Sequence, residues 1–189
     1  MQALLKKDFA LDKATAGYLA MFLFTVMTVL SGFIRIPIPM SPVPVTLQTF
    51  FVILAGASLS GYKGGISQIL YLALGVMGAP VFSTQGSAFL YITGPSGGYM
   101  AGFVLAALFL GFMPASFKKS YVRIFLTFLA ADAVILATGA VWLGALTGYD
   151  PVRIFQIGVL PFVPGDIFKA FAAAAVYKAI KPRLDRVLY

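Results

Sequence analysis

Long apolar runs make up most of this chain, and short clusters of Pro, Gly and charged residues separate them. Residues 16–34, "AGYLAMFLFTVMTVLSGFI", carry no charge and read as a first helix. "RIPIPMSPVPV" follows, with prolines at 37, 39, 42 and 44, a spacing that no helix accommodates. Apolar helical segments resume at 46–60, 65–78, 98–113, 121–147 and 165–180. "GYKGG" divides the second from the third, and the basic turn "MPASFKKS" divides the fourth from the fifth. Two connecting stretches, "APVFSTQGSAFLYITGPSG" and "TGYDPVRIFQIGVLPFVP", are apolar yet rich in turn residues. The pattern predicts an all-α integral membrane protein, with six transmembrane helices in a single domain over residues 1–189. The second and third helices are short for a span of roughly 20 residues.

Composition supports a lipid solvent. Hydrophobic residues make up 60% of the chain and charged residues 11%, with a mean hydropathy of +0.94. A soluble domain carries about 25% charged residues, and so few charges cannot cover a soluble globule of this size. The net charge of +8 comes from 14 Lys and Arg against 6 Asp, with no Glu. Such a balance can signal nucleic acid, but here the cations sit between apolar runs, which points to a cytoplasmic membrane face. With the N-terminus inside, Lys6, Lys7, Lys13, Lys63, Lys118, Lys119, Arg123, Lys178, Lys181, Arg183 and Arg186 fall on that face, 11 of the 14. Arg35 and Arg153 fall outside, and Lys169 lies within the last helix. An odd number of spans breaks this alternation, so both termini are expected in the cytoplasm. The apolar outer connections read as a lid, because irregular backbone at membrane depth is tolerated where it packs over protein or lines a cavity. The opening "MQALLKKDFALDKATAG" lacks the early basic region and cleavage pattern of a secretory signal.

The absence of Cys and His removes disulfides, thiol chemistry, most zinc sites and Ser–His or Cys–His catalysis. No GKS or GKT occurs, so the chain has no P-loop with which to hydrolyse ATP. Neither a metal nor a cofactor is expected.

Against this background Asp166 and Lys169 stand out. They lie three residues apart at the head of an alanine-rich apolar helix, and hence on one face of it. A charge at the centre of a membrane helix costs about 2.5–3.5 kcal/mol on insertion scales. An Asp near the helix N-terminus offsets the macrodipole, but a Lys there opposes it. A structural pair therefore explains Asp166 better than Lys169, whereas a binding site explains both. "GPSGGYMAGF" opens the fourth helix on the same side, with Ser96 as a candidate cap and Gly97 and Gly98 giving close backbone approach. Two helix N-termini and a lysine on one side suit a carboxylate, although glycines also serve close helix packing. Asp132 lies 11 residues into the fifth helix, about 16 Å deep at 1.5 Å per residue. It is either functional, or neutralised by a proton or a neighbouring hydroxyl. Ala16 and Ala20, with Gly17 beside them, give an AxxxA spacing suited to a partner helix. Trp142, near the outer end of the fifth helix, suits an interfacial belt or the wall of a ring-binding pocket.

"VPVTLQTFFVILAGASLSGYKGG", "YLALGVMGAPVF", "GPSGGYMAGF" and "PFVPGDIFKA" together resemble the BioY family, the biotin-specific substrate-capture (S) subunits of energy-coupling factor (ECF) transporters. The resemblance covers roughly residues 16–180. It implies a six-helix subunit that binds biotin near the outer face and joins a membrane coupling subunit, EcfT, and two ATP-hydrolysing subunits. It also implies that Asp166 and Lys169 are ligand residues, that Ser96, Gly97, Gly98 and Tyr99 belong to the pocket, and that Ala16 and Ala20 meet the coupling subunit. One departure concerns the segment after "PVF": many relatives have a glycine-rich run where this chain reads "STQGSAF". That leaves the role of residues 83–89 open, with Gln85 as a candidate contact. Three other functions stay open at this point: an S subunit for another vitamin, a small membrane enzyme acting on lipids through Asp132 or Asp166, and a structural membrane subunit.

Overall fold

A computed structural model describes residues 12–82, 88–114, 116–117 and 120–188. Helix α1 (Lys13–Gly32) begins at Asp12, whose carboxylate accepts from the Thr15 amide at 2.6 Å. The proline-rich segment then forms a two-residue antiparallel ribbon, β1 (Arg35–Ile36) with β2 (Val45–Thr46). Its register places Arg35 opposite Thr46 and Ile36 opposite Val45. Helices α2 (Gln48–Ser58), α3 (Lys63–Val76), α4 (Ala88–Thr93), α5 (Gly97–Gly111), α6 (Tyr121–Thr147), α7 (Pro151–Gly158) and α8 (Val163–Leu188) follow.

Six of these helices overlap the six apolar segments of the sequence. The other two, α4 and α7, lie within the stretches read as lid-like connections. The start of α7 is written in the sequence: Asp150 caps it, accepting from the Val152 and Arg153 amides at 3.0 and 3.1 Å, and Pro151 takes the first turn. A helix of 8 residues is too short to span, so a search for spans passes over it. At the C-terminus, α8 runs on past residue 180 and through Pro182. A proline removes one helical hydrogen bond, and at this exposed end water can take the freed carbonyl.

By length and composition, α1 and α6 are each able to cross a membrane. Helices α7 and α8, joined at a bend of 49°, are together long and apolar enough for a broken span or a re-entrant pair. The outward faces carry large exposed apolar side chains: Tyr18, Phe22 and Leu23 on α1, Val122, Leu126 and Val141 on α6, and Phe168 and Phe171 on α8. Hydroxyls and amides turn inward. The Thr25 hydroxyl donates to the Ser67 carbonyl at 3.0 Å and ties α1 to α3. This distribution is the one a lipid solvent favours, because polar atoms there must find partners inside the protein.

Helix α5 sits at the centre, packed against α2, α3 and α6. Helix α2 is buried without interruption from Val52 to Ser58, as befits a helix that is apolar all round. Small residues bring these helices together. A Cβ added at Gly56 would lie 2.7 Å from both the Cα and the carbonyl oxygen of Ala107, so backbone meets backbone there. Gly144, by contrast, has only an ordinary 3.7 Å neighbour in Ile154. Gly56→Ala is therefore expected to push α2 and α5 apart and cost about 1–3 kcal/mol. Gly144→Ala should be close to neutral. Thermal unfolding of the two variants in detergent checks the difference.

Candidate functional site

The β1–β2 ribbon delivers the chain into α2 beside the head of α8, and a small cleft opens between them. The corner from Val43 to Thr49 forms one wall. Tyr91 of α4 and Ser96, Tyr99, Met100 and Phe103 of α5 form the second, and Ile135 and Leu136 of α6 with Phe162 close the rest. Asp166 and Lys169 bring the charge, from the first two turns of α8.

Both charged residues are buried, at 5% and 7% exposure. The Lys169 ammonium stands 2.6 Å from Asp166 Oδ1. It also donates to the Thr49 hydroxyl at 2.6 Å and to the Thr46 carbonyl at 3.2 Å. An ammonium has three N–H donors and no acceptor; two of them bond Thr49 and Thr46, while the contact with Asp166 is an ion pair in which Oδ1 makes no hydrogen bond among the described residues. The pair is therefore more than an i,i+3 contact within α8, because it fastens that helix to β2 and α2. Losing one partner of such a pair leaves a buried charge uncompensated, at a cost of about 3–5 kcal/mol.

Gln48 is held just as firmly. Its amide nitrogen donates to the Tyr71 hydroxyl at 2.7 Å and to the Thr28 carbonyl at 3.3 Å, while its oxygen accepts from Thr46 Oγ1 at 3.2 Å. One side chain thus joins α1, α2 and α3 behind the cleft. Tyr99 spans the cleft's other side: its hydroxyl donates to the Gly158 carbonyl at 2.6 Å, and its ring lies 5.7 Å from that of Phe162.

Four residues singled out from the sequence, Ser96, Tyr99, Asp166 and Lys169, meet in this cleft. Others do not. Gly97 and Gly98 are absent from its lining; a Cβ at Gly97 would collide with the Ile92 carbonyl, and one at Gly98 with the Trp142 side chain. These glycines thus serve the packing of α5 against α4 and α6. Trp142 is 39% exposed and donates its indole N–H to the Gly94 carbonyl at 2.9 Å, which places it behind the α5 turn instead of facing the cavity. Gln85 lies outside the described residues. Ala16 is 6% exposed and Ala20 half-buried, so the two do not form one free stripe on α1. Thr46, Gln48 and Thr49 escaped the sequence reading as individual residues, although they belong to the "VPVTLQT" segment. Uncharged hydroxyls and amides next to an apolar helix gave no separate signal.

Asp132 is 2% exposed, and neither carboxylate oxygen has a hydrogen-bond partner among the described residues. It lies one turn along α6 from Ile135 and Leu136, behind the cleft lining. No neighbouring hydroxyl bonds it.

A helical fold with apolar outer faces, a mostly apolar cleft and a buried ion pair at its head fits a substrate-binding subunit of a transporter, and the comparisons with known proteins give that class. The fold matches the crystal structure at 2.1 Å of the S-component for biotin from an ECF-type ABC transporter, with a TM-score of 0.81 and 25% identity, over 92% of this chain and 95% of that one. The BioY family model matches residues 5–186, and the chain belongs to the BioY family. Similar relatives include a probable biotin transporter BioY of Pyrococcus horikoshii, 37% identical over 78% of this chain and 86% of its own length. Another is the biotin transporter BioY of Thermotoga maritima, 34% identical over 84% of this chain and 92% of its own length.

The isolation of Asp132 has a consequence for stability. An unpartnered buried polar group costs about 1–3 kcal/mol, and replacing it by an apolar side chain of similar shape removes that cost. Asp132→Leu is expected to leave the thermal midpoint of the purified protein unchanged or higher. A midpoint that drops sharply would show that the carboxyl holds something in place.

Proposed function

We propose that the protein captures biotin in this cleft and is the substrate-binding subunit of a biotin uptake system, not an enzyme. The observation that carries the reading is the buried Asp166–Lys169–Thr49 cluster at the head of α8, facing an otherwise apolar cavity. Biotin has matching chemistry: its ureido group offers two N–H donors and a carbonyl acceptor, and its thioether ring and valeryl chain are apolar. The Asp166 carboxylate accepts a ureido N–H. Tyr99, Met100, Phe103 and Phe162 wall the ring and chain. The kinship with biotin transporters of 37% and 34% identity supports the same ligand.

The reading extends to the membrane. The chain spans the cell membrane with six helices and both termini in the cytoplasm, the cleft toward the outer face, and α4 and α7 in the connections that pack over it. Transport is energised by separate subunits, an EcfT-type coupling protein and two ATPases, since this chain carries no P-loop. The half-buried Ala20 and the apolar side chains beside it on α1 are available to the coupling subunit.

Binding of labelled biotin to purified protein in detergent tests the core of this function. Removing one partner of a buried, hydrogen-bonded charge pair costs about 2–5 kcal/mol. Lys169→Ala and Asp166→Ala should therefore weaken binding by roughly 30-fold to several thousand-fold, at about 1.4 kcal/mol per tenfold. Asp166→Asn keeps the shape and one acceptor and should lose less. Folded alanine variants with unchanged affinity would remove the pair from the binding site.

Topology is open to direct labelling, because the chain has no cysteine of its own. Arg153→Cys should react with an impermeant maleimide applied to intact cells, and Lys181→Cys should react only after permeabilisation. Reaction of both without permeabilisation would contradict the six-helix arrangement.

A further inference from the structure

The cleft presents a biotin-sized acid with an electrostatic problem. Its one lysine already donates to Thr49 and Thr46 and is ion-paired with Asp166. Asp166 balances its charge, so the paired cluster is neutral and offers a carboxylate no counter-ion. Residues 83–89 contain no Lys or Arg.

The ribbon supplies the missing cation. Arg35 is the direct cross-strand partner of Thr46, and Thr46 both lines the cleft and receives the Lys169 ammonium. Directly opposed residues of an antiparallel pair share a face, with Cβ atoms about 4.5–5.5 Å apart. Arg35 also lines a shallow groove with Ile38, Ser41 and Pro44, and Pro44 is a wall of the cleft as well. The groove and the cleft thus share Pro44 as a common wall. The Arg35 guanidinium is exposed and makes no hydrogen bond or ion pair among the described residues. Arg153 of α7, the other cation of the two apolar connecting stretches and the ribbon, lies over the ring of Tyr149 and lines neither space.

We propose that Arg35 receives the carboxylate of the bound vitamin at the mouth of the cleft, and so sets the preference for the free acid over its amides. The ureido head lies at Asp166, and the flexible valeryl chain leads outward along Pro44 to the guanidinium. This assignment rests on the reading that the cleft takes biotin. Arg35 is a specificity-determining residue here, distinct from the buried pair that anchors the head.

Dissociation constants for biotin and for biotin amide, measured on purified wild type, Arg35→Ala and Arg35→Lys, test it. The amide keeps the ureido group and ring and lacks only the charge. A rim ion pair of this kind supports a preference for the acid of about fivefold. Arg35→Ala should abolish that preference by weakening biotin alone, with amide affinity unchanged. Arg35→Lys should keep part of it, and high salt should reduce it in the wild type, since exposed charges are screened. An acid-to-amide ratio that is the same in wild type and Arg35→Ala would overturn the assignment. So would equal loss of both ligands, which would mark Arg35 as a structural part of the ribbon. A wild type that binds neither compound would instead bring down the biotin reading itself, and this inference with it.

Discussion

One buried ammonium organises much of this molecule. Lys169 sits in an apolar helix, where its charge is costly unless it is paired and hydrogen-bonded. Helix α8 supplies the ion-pair partner, Asp166, and Thr46 and Thr49 at the turn into α2 accept its hydrogen bonds. The last helix and the corner between β2 and α2 are thereby joined across 120 or more residues of sequence. The same bonds that make the charge tolerable close one end of the cleft.

Polar ties of this sort recur wherever helices meet. Gln48 holds α1 and α3 to α2 through Thr28 and Tyr71, and Tyr99 holds α5 to the end of α7 through Gly158. Lipid removes the hydrophobic contrast between inside and outside, so helix association there depends on close packing and interhelical hydrogen bonds. Both are present. Glycine and alanine let α2, α3 and α5 approach to backbone contact, and the hydroxyl and amide ties set their register. The cleft wall combines these fixed polar groups with Met100, Phe103 and Phe162. It needs little rearrangement to receive a small ring.

The site was legible where charge interrupts an apolar pattern. Asp166 and Lys169 stand out because nothing else explains a cation near the start of that helix. The threonines and glutamine that complete the site carry no such mark, since a hydroxyl can always turn to its own helix, as Thr28 does toward Phe24. Glycines misled in the opposite direction. Gly97 and Gly98 permit close approach, but a sequence does not say to what, and here the neighbours are Ile92 and Trp142. Ala16 and Ala20 share a helical spacing, yet the packing of α1 on α3 buries the first more deeply than the second.

Sequence by itself determined the solvent, the helical class and the placement of the main helices, because these follow from local composition and from breakers such as the four prolines between 37 and 44. It also determined which two charges needed an explanation. Only the tertiary structure decided that Thr46 and Thr49 accept from Lys169. The same structure placed Arg35 across the ribbon from Thr46. These facts depend on register and on contacts between residues far apart in the chain. A hydrogen bond is directional and short, so an error of one residue in pairing removes it, while the hydrophobic pattern that selects the helices barely changes.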